Sequence, residues 1–296
     1  MSARRALRVG LWAGFLLALA GLVGFAWNGM RTAWTVSEFG ALAPAERCGP
    51  RLRVLAFNIA KASFYRGGVR LAPRAAVEQR LARIAAMVRE QRADLVFLSE
   101  VVWDSGPQRL NQVRVLAERT GLHAFAYGDN YRFGLPFFQI RAGNAILSRF
   151  PLRPVAVEQL AGGAPFYAPT NNRRILWCDV ELGARTVRIA AVRNDSFDLE
   201  NNARQAQQIL ATLGATPALL AGDFNAEPKD AAMRLFETSG LFLPLGEAPP
   251  TFPADEPTRR IDFVLAPVRW RRIERRTLPP LDSDHLAVLA EFELSR

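Results

Sequence analysis

Short apolar runs recur along this chain and close on one or two polar residues. Leu52–Phe57 ends at Asn58, Leu95–Leu98 at Ser99-Glu100, and Ala218–Leu220 at the cluster Gly222-Asp223-Phe224-Asn225. Asn144–Leu147, Ile175–Leu182, Val187–Val192, Ile261–Ala266 and Ala287–Phe292 are runs of the same kind, bounded by Gly, Pro, Asn or Asp. Their length and bounding residues predict strands. Gly183-Ala184 joins two of them in a way that predicts a hairpin. A second pattern has helical spacing. Val77, Leu81, Ile84 and Val88 recur within Arg74–Arg92, and Leu110, Val113, Leu116 and Ala117 in a shorter segment. Ala203–Leu213 and Asp230–Thr238 complete the predicted helices. Strands outnumber helices and do not alternate strictly with them. That predicts two packed sheets flanked by helices rather than a doubly wound parallel sheet.

The N-terminal segment follows neither pattern. Arg4, Arg5 and Arg8 precede a stretch from Val9 to Trp27 that carries no charge. As a helix this stretch spans roughly 28 Å, close to the ~30 Å hydrocarbon core of a bilayer. The preceding arginines place the N-terminus in the cytoplasm and the remainder across the membrane. Ala18-Leu19-Ala20 offers a signal-peptidase site as the rival reading. Cleavage there leaves the apolar stub GLVGFAW, so an uncleaved anchor is favoured. Gly10 and Gly14 form a GxxxG pair, a weak sign of helix pairing. The predicted organisation is a basic segment 1–8, a membrane span 9–27, a tether 28–50 and one globular domain 51–296.

Composition changes this picture little. The net charge is +10, yet only Lys61 and Lys229 are lysines, an arginine bias that most simply follows genome composition. The excess of base still favours polyanionic or anionic-membrane partners. Cys48 and Cys178 are the only cysteines and could pair in an oxidising compartment; with only His123 and His285 a histidine-rich metal cage is excluded. His123 follows Gly121-Leu122 at a helix exit and reads as a capping or surface residue.

The strand ends carry the chemistry. Asn58, Glu100, Asp223, Asn225, Asp262, Asp284 and His285 bring carboxylates, amides and one imidazole, with no Ser or Cys nucleophile in a recognisable setting. Such a set predicts a metal-dependent hydrolase. In chain order the motifs are Asn58, Glu100, GNAILSRFP at Gly143–Pro151, GDFN at Gly222–Asn225, RIDFVL at Arg260–Leu265 and SDH at Ser283–His285. From about Leu52 to Leu294 this ordered set resembles the endonuclease/exonuclease/phosphatase superfamily, with its deoxyribonuclease-I-like fold.

The resemblance implies a four-layer α/β sandwich of two mixed sheets and Mg²⁺-dependent hydrolysis of a phosphoester, with Mn²⁺ as the alternative metal. It assigns Glu100, Asp284 and Asn58 to the metal, Asp223 to the proton of the attacking water, and Asn225 to orienting that water or the phosphate. His285 resembles the histidine that donates to a phosphate oxygen, and Asp262 its orienting partner. Asn144 reads as structural. One departure stands out: where many members carry a second histidine, this chain has Arg193-Asn194-Asp195. Asn194 is the expected donor there, Arg193 the neutralising cation, and Asp195 an alternative acid. Arg173 and Arg174 are expected to clamp phosphate. The run Arg269–Arg276 reads as a charged edge strand, or else as a phosphate-contacting face. The expected activity is a phosphodiesterase or nuclease acting outside the cytoplasm. Nucleic acid is slightly favoured over lipid or inositol phosphate; a non-catalytic phosphate-binding module is the third reading.

Overall fold

The computed structural model describes residues 3–34, 37–42, 44–64, 71–106, 108–163 and 172–294. Asn171, beside the predicted arginine clamp, lies outside them. Helix α1 (Ala3–Met30) is followed by a short 3-10 turn at Arg31–Trp34. The globular part then runs β1 (Glu38–Ala41), β2 (Arg51–Asn58), α2 (Arg74–Glu90), β3 (Leu95–Ser105), α3 (Gln112–Thr120), β4 (Ala124–Leu135), β5 (Phe138–Ser148) and β6 (Leu152–Gln159). It continues with β7 (Arg174–Leu182), β8 (Arg185–Arg193), α4 (Leu199–Leu213), β9 (Ala218–Asp223), α5 (Ala231–Thr238), β10 (Asp262–Leu265), β11 (Arg271–Thr277) and β12 (Val288–Glu293).

The strands form two mixed sheets, one of seven strands in the order β1-β4-β5-β3-β2-β12-β11 and one of five in the order β10-β9-β8-β7-β6. Between them lies a dry core that includes Leu52, Val54, Phe97, Ile146, Leu176, Cys178, Ile189 and Leu219. Helices α2 and α3 cover the outer face of the seven-stranded sheet through Val77, Leu81, Ile84, Val113 and Leu116. Helices α4 and α5 cover the five-stranded sheet through Ala206, Ile209, Met233 and Phe236. The predicted four-layer sandwich is therefore the observed fold. Each central strand is buried on both faces, which is why these strands read as continuous apolar runs.

Part of the predicted tether joins the body: Glu38–Ala41 pairs antiparallel with Tyr127–Ala124 as an edge strand. Gly40 permits this, since a Cβ there would lie 2.6 Å from the Phe125 ring. The Arg269–Arg276 run is an edge strand as well, through β11. Cys48 and Cys178 are both free thiols, the latter within the core between the sheets.

Within the β4–β5 hairpin, Asp129 is fully buried and accepts from Tyr127 Oη (2.8 Å), Arg132 Nε (2.9 Å) and Arg141 Nη2 (3.0 Å). Asp129→Ala should strand two buried guanidinium groups and cost about 3–5 kcal/mol. Thermal unfolding of the variant is the check, with a drop in Tm of roughly 6–20 °C expected for a domain this size.

Candidate active site

Strand ends from both sheets meet at one place. β2 and β3 run parallel with Asn58 opposite Ser99, so Glu100 emerges one residue beyond Asn58. β8 and β9 run parallel with Arg193 opposite Asp223, and β10 pairs antiparallel so that Asp262 faces Asp223. Gly222 has φ 141°, and a Cβ there would lie 2.1 Å from the Val192 carbonyl oxygen, so the close β8–β9 approach at the site requires glycine.

The Asn58 amide ties these ends together. Its Nδ2 lies 3.0 Å from Asp223 Oδ2, 3.4 Å from Glu100 Oε1 and 3.3 Å from His285 Nε2. Its Oδ1 accepts from the Ala60 amide at 3.0 Å, which fixes the amide's orientation. An amide nitrogen has two hydrogens for these three neighbours. With Asp223 and Glu100 taking both, the imidazole Nε2 is left with its own hydrogen.

Asp262 explains that protonation state. His285 Nδ1 sits 2.9 Å from Asp262 Oδ2, which also accepts the Thr251 hydroxyl at 2.6 Å. Burial opposes a charged imidazole, but the Asp262 carboxylate outweighs it and raises His285 to about 9. Burial raises Asp262 to about 6 against the pull of His285, so the pair is ionised at neutral pH. Thr251 Oγ also accepts from the amides of Ile261 and Asp262, both at 3.2 Å. The Phe252 ring stands 4.8 Å from the imidazole. Ser283 Oγ donates to the Asn58 carbonyl at 2.6 Å and accepts the His285 amide at 3.2 Å, holding the SDH turn against β2.

Glu100 meets two cations, Lys61 Nζ and Arg193 Nη2. Burial works to raise its carboxyl, yet Arg193 and Lys61 together hold it well below the usual carboxylate range. Arg193 Nε is also 3.8 Å from Asp223 Oδ2. Lys61 reaches Glu100 from a left-handed turn in which Ala60, Lys61, Ala62 and Ser63 have φ between 45° and 57°. Glu100 and Asn225 adopt positive φ as well, at 53° and 49°. Non-glycine residues in this region are strained by about 1–3 kcal/mol each and persist where tertiary contacts over-determine them.

The other residues expected at the site fall in different places. Asn194 is fully buried and its Nδ2 donates to Asn202 Oδ1 at 3.1 Å, so its amide is turned away from the mouth. Asp195 accepts from the Phe197 amide (2.8 Å) and Asn201 Nδ2 (2.7 Å), capping the loop that leads into α4. Arg193 is the member of that trio at the site. Arg173 is buried and donates to the Asn194 carbonyl (2.9 Å) and Ser196 Oγ (3.0 Å), supporting the loop rather than facing solvent. Burial, with Arg193 adding to it, lowers its guanidinium to about 10. Arg174 points elsewhere, to the carbonyls of Val157 (2.9 Å), Asp129 (3.2 Å) and Thr32. Asn225 remains at the site: its amide N–H donates to Asp223 Oδ1 (3.0 Å) and its Nδ2 to the Asn194 carbonyl (2.9 Å). Asp284 is exposed on the rim, where its charge favours the imidazolium. Asn144, read as structural, is buried and donates to the Arg174 carbonyl at 3.0 Å. The β11 arginines are engaged locally, Arg271 with Glu293, Arg276 with Glu274, and Arg272 and Arg275 with backbone carbonyls of Pro244, Leu245 and Glu247.

Asp223, Asp262 and His285 place ligand-type atoms within 4.8 Å of one another. Asp262 nevertheless has one oxygen held by Thr251 and His285, and His285 Nδ1 is engaged with it. Glu100 is the better seat for a cation. It is the most accessible of the clustered carboxylates, with 17 % of its side chain exposed against 1 % for Asp223 and Asp262. Its oxygens are hard donors, whereas Asn58 turns its Nδ2 toward Glu100 and its oxygen to the Ala60 amide. A cation there would take over the neutralisation that Lys61 and Arg193 now provide.

Residues 55–285 match the Endonuclease/Exonuclease/phosphatase family. No curated protein matches the chain. Among solved structures, an endonuclease/exonuclease/phosphatase from Beutenbergia cavernae is 24% identical with TM-score 0.64, over 83% of this chain and 72% of that one. The human Nocturnin catalytic domain with bound sulfate is 17% identical with TM-score 0.60, over 88% and 98%. A mannosyl-6-phosphatase from Bacteroides thetaiotaomicron is 16% identical with TM-score 0.58, over 82% and 100%. At these identities the likeness establishes the fold.

Proposed function

The chain belongs to the endonuclease/exonuclease/phosphatase family, and from that membership and the meeting of its strand ends we propose a divalent-metal-dependent phosphodiester hydrolase, held at a membrane by α1 with its globular domain outside the cytoplasm. The observation that carries this reading is the Asn58 amide in contact with Glu100, Asp223 and His285 at once.

In the proposed reaction Asp223 is the base. Both its oxygens are oriented, one by the Asn225 amide and one by Asn58, which holds the carboxylate in a fixed direction. His285 offers the Nε2 hydrogen to a phosphate oxygen as negative charge grows, and Asp262 keeps the imidazole charged while it does so. Arg193 and Lys61 add fixed positive charge, Arg193 from the trio that stands where many members carry a second histidine. A guanidinium supplies charge rather than a proton, so the reading predicts a preference for leaving groups that need little protonation. Glu100, supported by Asn58 Nδ2 and with Asp284 on the rim, would hold the cation, Mg²⁺ or Mn²⁺. When bound, it supplies Lewis-acid polarisation of a phosphate oxygen.

The decisive experiment incubates full-length protein in detergent with an aryl phosphodiester, with Mg²⁺, with Mn²⁺ and with chelator. Turnover that vanishes with chelator is expected; folded protein inert under every metal condition would favour the phosphate-binding module instead. A second expectation needs no turnover. Mg²⁺ at about 100 times its Kd should stabilise the fold by about 2.7 kcal/mol, roughly 5–10 °C in Tm. Glu100→Gln should lose most of that rise. An equal rise in the variant would remove Glu100 from the metal site.

The membrane assignment rests on the apolar helix Leu7–Ala33, long enough to span a bilayer. Carbonate-resistant recovery of the uncut chain in the membrane fraction is expected. A soluble, trimmed product would instead support a cleaved signal peptide.

A further inference from the structure

The mouth of the proposed site has an apolar lip. In β3 and β5, Val101 pairs with Gly143, which sets the level of Glu100 along the sheet. From Gly143 the β4–β5 hairpin continues five residues to Phe138, where Leu135 and Phe138 close it. At ~3.4 Å per residue the tip stands roughly 17 Å beyond Glu100, on the side toward which the site opens. Residues 133–140 of this tip carry no charge, and Phe133, Phe137 and Phe138 are 45%, 83% and 55% exposed. The other lip, the loop leaving Arg193, exposes Phe197 and Leu199. Three exposed aromatic groups on one hairpin tip mark an interaction surface.

The tip also touches α1. Asn28 Nδ2 donates to the Gly134 carbonyl at 3.0 Å, and the Phe25 and Phe133 rings meet edge-on at 5.2 Å. Gly24 faces Leu135 and Pro136, and a Cβ there would lie 3.4 Å from Leu135 Cδ2. Gly24 lies three residues inside the apolar stretch that ends at Trp27, about 4.5 Å along the helix axis. A bilayer that holds α1 as a span therefore meets the hairpin tip at its boundary.

We infer that the β4–β5 tip is a bilayer-docking element: Phe133, Phe137 and Phe138 enter the leaflet beside the last turns of α1, Phe197 and Leu199 meet the same surface, and the mouth opens onto the headgroup layer. The partner is a lipid bilayer, because the apolar tip is continuous with the apolar helix. The substrate class that follows is a phosphodiester in a membrane lipid. Lys61 and Arg193 at the mouth suit its anionic phosphate. This inference rests on the hydrolase reading and on α1 as a membrane span.

The test uses the full chain, with Cys48→Ser, in vesicles of phosphatidylcholine and phosphatidylglycerol. A polarity-sensitive nitrobenzoxadiazole label is placed by Phe137→Cys, or for comparison by Ala184→Cys in the exposed turn at the other end of the sandwich. Cys178 is buried and is not labelled. At position 137 the label should be quenched by lipids carrying nitroxide near the headgroup and shielded from aqueous iodide; at 184 the reverse is expected. Equal access of iodide to both positions overturns docking. In a second arm, Phe137→Ser with Phe138→Ser should slow cleavage of vesicle phospholipid at least tenfold and leave a soluble aryl diester unaffected. Equal loss on both substrates overturns the docking role. Cleavage of DNA but not of lipid overturns the substrate class. An inert aryl diester overturns the hydrolase reading, while the quenching result still decides docking.

Discussion

Asp223→Asn should lower turnover of a phosphodiester by roughly 10²–10⁴-fold, the range for loss of a positioned general base. The carboxylate is buried among donors: the Asn225 amide, Asn58 Nδ2 and the Arg193 guanidinium all face it. An asparagine supplies one oxygen to this ring and turns an N–H₂ toward a donor. Stability should therefore fall by about 1–3 kcal/mol, and rates should be compared at a temperature where both proteins are folded. His285→Ala removes the donor on the other side of Asn58 and should cost about 10²–10³-fold. Groups that act as one unit do not contribute additively. The double variant is expected to be little slower than Asp223→Asn alone. A double variant slower by the product of the two effects would mean that the residues act in separate steps.

Asp262→Asn should shift the pH dependence as well as lower the rate. Asp262 raises His285 to about 9 against the effect of burial, so kcat/KM should fall on the alkaline side near that pH. Without the carboxylate, burial acts on the imidazole against only the weaker pull of Asp223 and Asp284, and the alkaline limb should move to lower pH. At pH 8 the variant should then be slower by roughly 10²-fold or more. Stability follows the same linkage. A folded-state pKa raised from ~6.5 contributes stability that is fully present below that pH and is lost as the pH rises through about 9. Asp262, raised from 3.8 to about 6, adds a loss of the same sign across that lower window. The wild type should therefore lose stability as pH rises from 4 to 9, and the variant should show a flatter curve. Denaturant melts across that range, with NMR titration of the His285 ring, would measure both; an unmoved His285 titration would refute the assignment of Asp262 as its partner.

Much of this molecule is legible along the chain because a strand buried on both faces must be apolar throughout, and its end shows where polar groups can begin. That physical requirement determined the central strands, the amphipathic helices, the two-sheet class and the ordered set Asn58, Glu100, Asp223, Asn225, Asp262 and His285. Tertiary structure decided which neighbour of a pair enters the site. Successive side chains on a strand point to opposite faces, so the register of Arg193 against Asp223 sends Arg193 to Glu100 and turns the Asn194 amide into the loop network. Arg173 and Arg174 diverge for the same reason. Lys61 and Thr251 carried no local signal: one reaches the site from a left-handed turn against its own preference, the other from an irregular segment rich in proline. The docking of the β4–β5 tip on α1 depends on a contact across more than 100 residues, which no local pattern encodes. Periodicity and composition report what each segment must bury; only packing determines which segments it is buried against.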